Sequence, residues 1–227
     1  MGHGTATATG TESAATDSAA TESATATADN SAVPPSATDA PLLEQHEARG
    51  QVAALFEDLW GLGKPTIARV QGWAMAGGFG LALACDLVVA SERARFGAPE
   101  INVGLWPFMI TVPLVRSMPP KKALELMLTG RRVDAAEAER IGFVTRVVAH
   151  HELDSAVEEL ATALASKPPA AMKLGRDSFY RTWDMETSSG AALDHLHAML
   201  TLTNLTEDAK EGMAAFLEKR PPKWRGR

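Results

Sequence analysis

Residues 66 to 90 constrain the fold more than any other stretch. Thr66 to Val70 reads as a short buried strand, and Leu87 to Ala90 as a second one. Between them lie a glycine-rich turn, Gly72-Trp-Ala-Met-Ala-Gly-Gly-Phe-Gly80, and an apolar helix, Leu81 to Cys85. Glycine lets backbone turn tightly and approach a ligand closely. Free amides at the start of the following helix favour negative charge, so the turn suits a phosphate or an oxyanion. Tight helix–sheet packing explains the same spacing. The turn lacks the Lys-Ser/Thr of a phosphate-binding P-loop and does not match Gly-x-Gly-x-x-Gly in register.

The flanking segments extend this pattern. Val52, Leu55, Phe56, Leu59 and Trp60 form one apolar helical stripe, which Gly61, Gly63 and Pro65 end. Arg95 to Ala98 reads as an edge strand before Pro99. Lys121 to Thr129, Ala135 to Ile141 and Glu152 to Ser166 read as helices, with Asp134 as N-cap and Gly142 as stop of the second. Phe143 to Val148 reads as a strand. From about residue 169 to the end, helices are expected over Met172 to Trp183, Ala191 to Leu202 and Glu207 to Glu218. Short strands alternating with helices, followed by a helical tail, predict an α/β fold with a mostly parallel sheet.

Composition separates the first 40 residues from the rest. Ala, Thr and Ser make up 26 of them, and Val33 is the one sizeable apolar residue after Met1. Such a segment cannot bury enough surface to offset its ordering entropy, so 1–40 is expected to be disordered and 41–227 to be the folded part. Five of the acids lie in 1–40 with no Lys or Arg, which explains most of the net charge of -6. That balance argues against a nucleic-acid binder. No apolar run is long enough to span a membrane, and no basic region followed by an apolar run marks a secretory signal. The expectation is a cytoplasmic protein. Cys85 is the single cysteine, set among apolar residues, and is read as packing rather than as a nucleophile. His195 and His197 lie two apart on a helix and face different ways, so no shared metal is expected.

Phe96-Gly-Ala-Pro-Glu100 leads into a strongly apolar stretch that holds Trp106. A carboxylate beside an apolar wall can serve as acid or base near neutral pH. On the residues alone the commoner reading, an exposed loop Glu, is favoured.

Together these motifs resemble the enoyl-CoA hydratase/isomerase (crotonase) superfamily. The resemblance rests on Lys64-Pro-Thr-Ile-Ala-Arg-Val-Gln-Gly72 with the glycine turn through Gly78, Leu81-Ala-Leu-Ala-Cys-Asp86, and Phe96 to Glu100. Leu128-Thr-Gly130, Ala135 to Gly142 and Glu211 to Arg220 add to it. It implies a crotonase-like spiral of β-β-α units with a helical C-terminal region, an acyl-CoA substrate and an enolate held on the thioester oxygen. Gly77 would supply one oxyanion amide, and Glu100 would be the acid/base. Ala74, Met75, Gly78 and Trp106 would line the substrate, and Phe216 and Lys219 would meet the CoA adenine end. The last two read equally as a packing residue and a solvated charge. No metal or separate cofactor is implied, because CoA enters with the substrate. A homotrimer or hexamer is.

Three departures shape the functional expectation. The family's first catalytic glutamate falls on Gly80, which cannot move a proton. The N-terminal strands of the spiral, with the second oxyanion amide, are missing from the partial domain at 41–227. Bulky residues fill Gly104-Leu-Trp-Pro-Phe-Met-Ile110, where relatives are often glycine-rich. The expected enzyme hydrates a 2-enoyl-CoA or shifts its double bond, and one base makes the shift the easier reaction. The alternative is a truncated, inactive homologue that serves as a binding or oligomerisation module.

Overall fold

A computed structural model describes residues 41–184 and 189–227. All the elements below belong to one unit, Leu42–Arg227, so the expected disorder of 1–40 lies outside the described residues.

Two three-stranded sheets form the centre. The first has the order β1-β3-β6, with β1 Ile67–Val70, β3 Leu87–Ser91 and β6 Arg146–Val148, all parallel. The second has the order β2-β4-β5, with β2 Trp73–Met75, β4 Arg95–Gly97 and β5 Arg132–Asp134. There β2 and β4 run parallel and β5 antiparallel. The expected α/β class with mostly parallel strands is what forms. Two strands depart from the sequence reading, because β2 lies inside the glycine turn and β5 went unread. Both are three residues long and exist through non-local pairs, Met75 with Gly97 and Phe96 with Val133.

Helix α1 spans Leu42–Gly61 and presents Phe56, which is buried, to the core. Helix α2, Gly77–Ala84, buries five of its eight residues and is apolar nearly all round, as a central helix must be. It starts inside the turn because Ala76 is the last residue outside helical geometry. Phe79 of α2 meets Phe96 and Phe143 with ring centroids 5.7 and 5.3 Å apart. Burying each such ring contributes about 1.5–3 kcal/mol. Helix α3, Thr111–Ser117, was not read from the sequence; Pro113 sits in its first turn, where the missing N–H costs nothing. Helices α4, Pro120–Thr129, and α5, Ala135–Ile141, follow. Asp134 caps α5 by accepting from the Glu137 amide at 2.8 Å, and Gly142 ends it at φ 102°.

Helix α6, Leu153–Ala165, covers β1 and β3 with Leu153 and Ala156 against Val89. The tail consists of α7 Pro169–Asp184, α8 Ser189–Leu205 and α9 Glu207–Glu218. Asp208, buried in the first turn of α9, accepts from the amides of Arg225 and Gly226 and straps the C-terminal residues to the helix. Among the described residues no helix is long and apolar enough to cross a membrane.

Candidate active site

The pairing of β2 with β4 brings the glycine turn and the Glu100 loop to one end of one sheet. Met75 and Gly97 are the last paired residues, and beyond them the Ala76 amide donates to the Gly97 carbonyl at 2.9 Å. Gly77 follows that tie by one residue on its strand, and Glu100 by three on the other.

Ala76 has φ 52° and ψ -127°, a combination that side chains other than glycine rarely adopt and that costs about 1–3 kcal/mol. Its carbonyl accepts from the Phe79 and Gly80 amides at 2.9 and 3.1 Å. The sharp reversal turns Gly77 and Gly78 into the head of α2. Their amides have no acceptor within the helix, and both residues are exposed. An oxyanion donor requires this arrangement: a free amide, a helix start and a position fixed by the sheet.

Glu100 sits in a 3₁₀ turn, Pro99–Val103, whose end is closed by Gly104 in the left-handed region. The Leu105 amide donates to the Glu100 carbonyl at 3.0 Å. The side-chain Oε2 is buried and has no hydrogen-bond partner. An ionised oxygen left so is costly, and a substrate proton would satisfy it. Trp106 is half-buried against the main core.

Gly80 lies in the core and not in an open site. A Cβ there would meet Ile110 Cβ at 2.8 Å, with Ile110 Cγ2 closer still, and Phe56 Cζ at 3.2 Å. Hydrocarbon from α1 and from the residue before α3 fills the place of a second carboxylate.

The Glu100 loop is bracketed on both sides by one segment. A Cβ on Gly130 would meet Asn102 Nδ2 at 2.7 Å, and a Cβ on Gly97 would meet the Arg131 carbonyl at 3.1 Å. Arg131 is itself held by Glu125 at 2.6 Å and by both oxygens of Glu137 at 3.0 and 2.8 Å. Its guanidinium keeps both carboxyls below their ordinary range. Sequence reasoning quoted Leu128-Thr-Gly130 without seeing this role, because the contact partners are about 30 residues away.

Asp86, at the other end of α2, is fully used. It accepts from the Thr66 amide at 2.7 Å and hydroxyl at 2.9 Å, from Arg176 Nε at 3.0 Å and from Tyr180 at 2.6 Å. Arg176 also donates to the carbonyls of Leu59 and Trp60, closing α1, α2 and α7 onto one node. Burial, then the bond to Asp86, pushes the Tyr180 hydroxyl well above its usual range. Burial likewise raises the Cys85 thiol, in keeping with a packing role.

The remaining candidates are placed apart. Ala74, buried, and Gly78 line a groove of about 470 Å³, while Met75 is half-buried with its methyl against Gly97. Phe216 is 78% exposed, and Lys219 caps α9 at φ 54°. Phe216 lies on α9, which packs on α7 and α8, and Lys219 follows the last residue of that helix. Among the described residues no group of three His, Cys, Asp or Glu side chains is arranged to hold a metal.

Comparisons with known proteins agree with this geometry. The enoyl-CoA hydratase/isomerase family model matches residues 37–227. A Mycobacterium leprae protein named "Probable enoyl-CoA hydratase echA8" is 39% identical over 82% of this chain and 70% of its own. The carnitinyl-CoA dehydratase of Citrobacter koseri is 40% identical over 78% of this chain and 69% of its own. The crystal structure of an enoyl-CoA hydratase from Bacillus anthracis superposes with a TM-score of 0.79 at 31% identity, covering 84% of this chain and 73% of that one. The chain spans 62–70% of the length of the first curated relatives it matches. With its two small sheets, buried α2 and helical tail, the chain belongs to the enoyl-CoA hydratase/isomerase family.

Proposed function

We propose that the protein shifts the double bond of an acyl-CoA thioester, with Glu100 as the proton carrier and the Gly77 amide as an oxyanion donor. Glu100 takes a proton from C2 of a 3-enoyl thioester. The electrons move to the thioester oxygen, where the Gly77 N–H stabilises the charge. The same carboxyl then returns the proton to C4, giving the 2-enoyl product. One base suffices because the proton leaves and re-enters the substrate. Ala74, Met75, Gly78 and Trp106 line the acyl end, and Phe216 and Lys219 meet the CoA adenine. CoA arrives with the substrate, and no metal takes part.

The observation that carries this choice over hydration is the closed space at Gly80. Water addition needs a second carboxylate, and Ile110 and Phe56 fill its place. Titration calorimetry with acetoacetyl-CoA tests the site first, and saturable binding is the expected result. Isomerase and hydratase assays then separate the reactions. Gly80→Glu alone should fold poorly, whereas Gly80→Glu with Ile110→Ala should gain hydration. A wild-type chain that hydrates a 2-enoyl-CoA faster than it isomerises would reject the reading. Well-folded protein that binds no thioester would leave the inactive homologue.

We also propose a homotrimer or hexamer. Phe179, Trp183, Leu193, Leu200, Leu205, Met213 and Leu217 of the tail helices are each more than half exposed, an apolar surface that monomers seldom carry. Sedimentation analysis checks it, and a monomer at micromolar concentration would refute it.

A further inference from the structure

A cavity of about 500 Å³ opens where the chain enters β1, and it shares no residue with the site at Gly77 and Glu100. Three parts of the fold build it: the loop from Gly63 to Ile67, the end of α6 with the start of α7, and Gly226. Its shape is fixed by specific contacts. Gly63 has φ 68°, and a Cβ there would meet Lys173 Nζ at 3.0 Å, so glycine lets that ammonium lie against the loop. The Trp224 indole donates to the Ser166 carbonyl at 2.8 Å. Asp208 holds the Arg225 and Gly226 amides, and Gly226 sits beside Pro169.

Wall and rim differ in chemistry. The wall is apolar: Ile67, Leu164 and Met172 are half-buried, and two prolines and three alanines complete it. The rim carries Lys64, Lys167 and Lys173, all exposed, and no Asp or Glu lines the cavity. Lys173 pairs with Asp177 at 2.7 Å. Lys64 and Lys167 have no side-chain partner among the described residues. The first turn of α7 faces the same space with Pro169 and Ala170, and a helix start favours negative charge. Small-molecule sites enclose about 300–1,000 Å³ and combine apolar walls with a few placed polar groups. An apolar hollow with two unpaired ammonium groups at its mouth suits a ligand with an apolar body and one anionic head.

We propose that this cavity binds a medium-chain fatty acid. The chain lies against Ile67, Leu164 and Met172, and the carboxylate meets Lys64 and Lys167. The binding is independent of whether the site at Gly77 and Glu100 takes a thioester.

Titration calorimetry of the full chain with decanoate tests this. Decanol, which lacks the charge, and acetate, which lacks the chain, accompany it. Decanoate should bind saturably at one site per chain, and the other two at least tenfold more weakly. Lys64→Gln with Lys167→Gln should weaken decanoate binding at least tenfold and keep the urea midpoint, because both side chains are exposed. Ala165→Trp, at an exposed lining position, should fill the cavity and abolish binding. Acetoacetyl-CoA should leave the decanoate affinity unchanged. Absence of saturable binding, decanol binding as tightly as decanoate, or unchanged affinity in either variant overturns the proposal. So does displacement of decanoate by acetoacetyl-CoA, which would put the acid in the thioester site instead.

Discussion

Asp86 and Glu100 are two half-buried carboxylates on either side of the same small core, and the fold treats them in opposite ways. Asp86 receives an amide, a hydroxyl, a guanidinium and a phenol, and it locks α1, α2 and α7 together. Glu100 leaves a buried oxygen with no hydrogen-bond partner. A carboxylate saturated by donors has no capacity left for chemistry, and its removal should cost stability. A carboxylate whose buried oxygen has no donor keeps that oxygen free for a substrate, and its removal should cost rate.

The largest effect expected from this contrast is on activity. Glu100→Gln should lower isomerase turnover by a factor of about 10²–10⁴. Denaturant unfolding of that variant should change little, because no hydrogen bond to the missing charge exists. A loss of stability with retained turnover would reverse the roles assigned here. Asp86→Ala comes next. It strands the Arg176 side chain, 7% exposed, without its counter-charge, which costs about 3–5 kcal/mol for a buried pair. Urea unfolding measures it, and a loss below 1 kcal/mol would remove Asp86 from its place at the centre of the node.

Arg131→Ala sharpens the comparison from the side of the loop. Arg131 touches neither reacting group; it holds the segment that brackets Glu100. Turnover should fall about tenfold while the affinity for acetoacetyl-CoA stays the same, since small misplacements of a base cost rate before binding. Arg131→Lys should recover part of it. Equal losses in both quantities would mean general unfolding instead.

The smallest effect concerns a third carboxylate, one satisfied at the surface. Arg220 and then the Lys223 amide hold the Glu211 carboxyl down at about 2, against an ordinary 4.5. A carboxyl depressed by folding stabilises above its unfolded value, and that contribution is lost as pH falls through the folded one. Exchange protection of the Lys223 amide should therefore decline between about pH 4.5 and 2. Unchanged protection at pH 2 would show that Asp208 and the chain ends hold the tail without Glu211.

Local signals made much of this legible. The strands β1 and β3, the stop at Gly142, the Asp134 cap and the long tail helices follow from hydrophobic period and capping chemistry, which act over a few residues. The glycine turn and Glu100 were legible as candidates for the same reason. The sequence reading could not see β2 and β5, because a three-residue strand carries no period and is defined by its partner. Nor could it see that Gly80 is closed. It marked the missing carboxylate there, but the hydrocarbon that fills the space comes from Phe56 and Ile110, more than 20 residues away on either side.

By itself the sequence determined the α/β class and the family, and it named Gly77 and Glu100 as candidates for the site. These depend on residue type and on spacing along the chain. The tertiary structure alone decided which carboxylate is saturated and which keeps a buried oxygen without a partner, that the reversal at Ala76 puts Gly77 and Gly78 at the head of α2, and that Ile110 and Phe56 close the space at Gly80. Hydrogen-bond satisfaction and excluded volume are settled between residues far apart in sequence, so they become visible only once the chain has closed on itself.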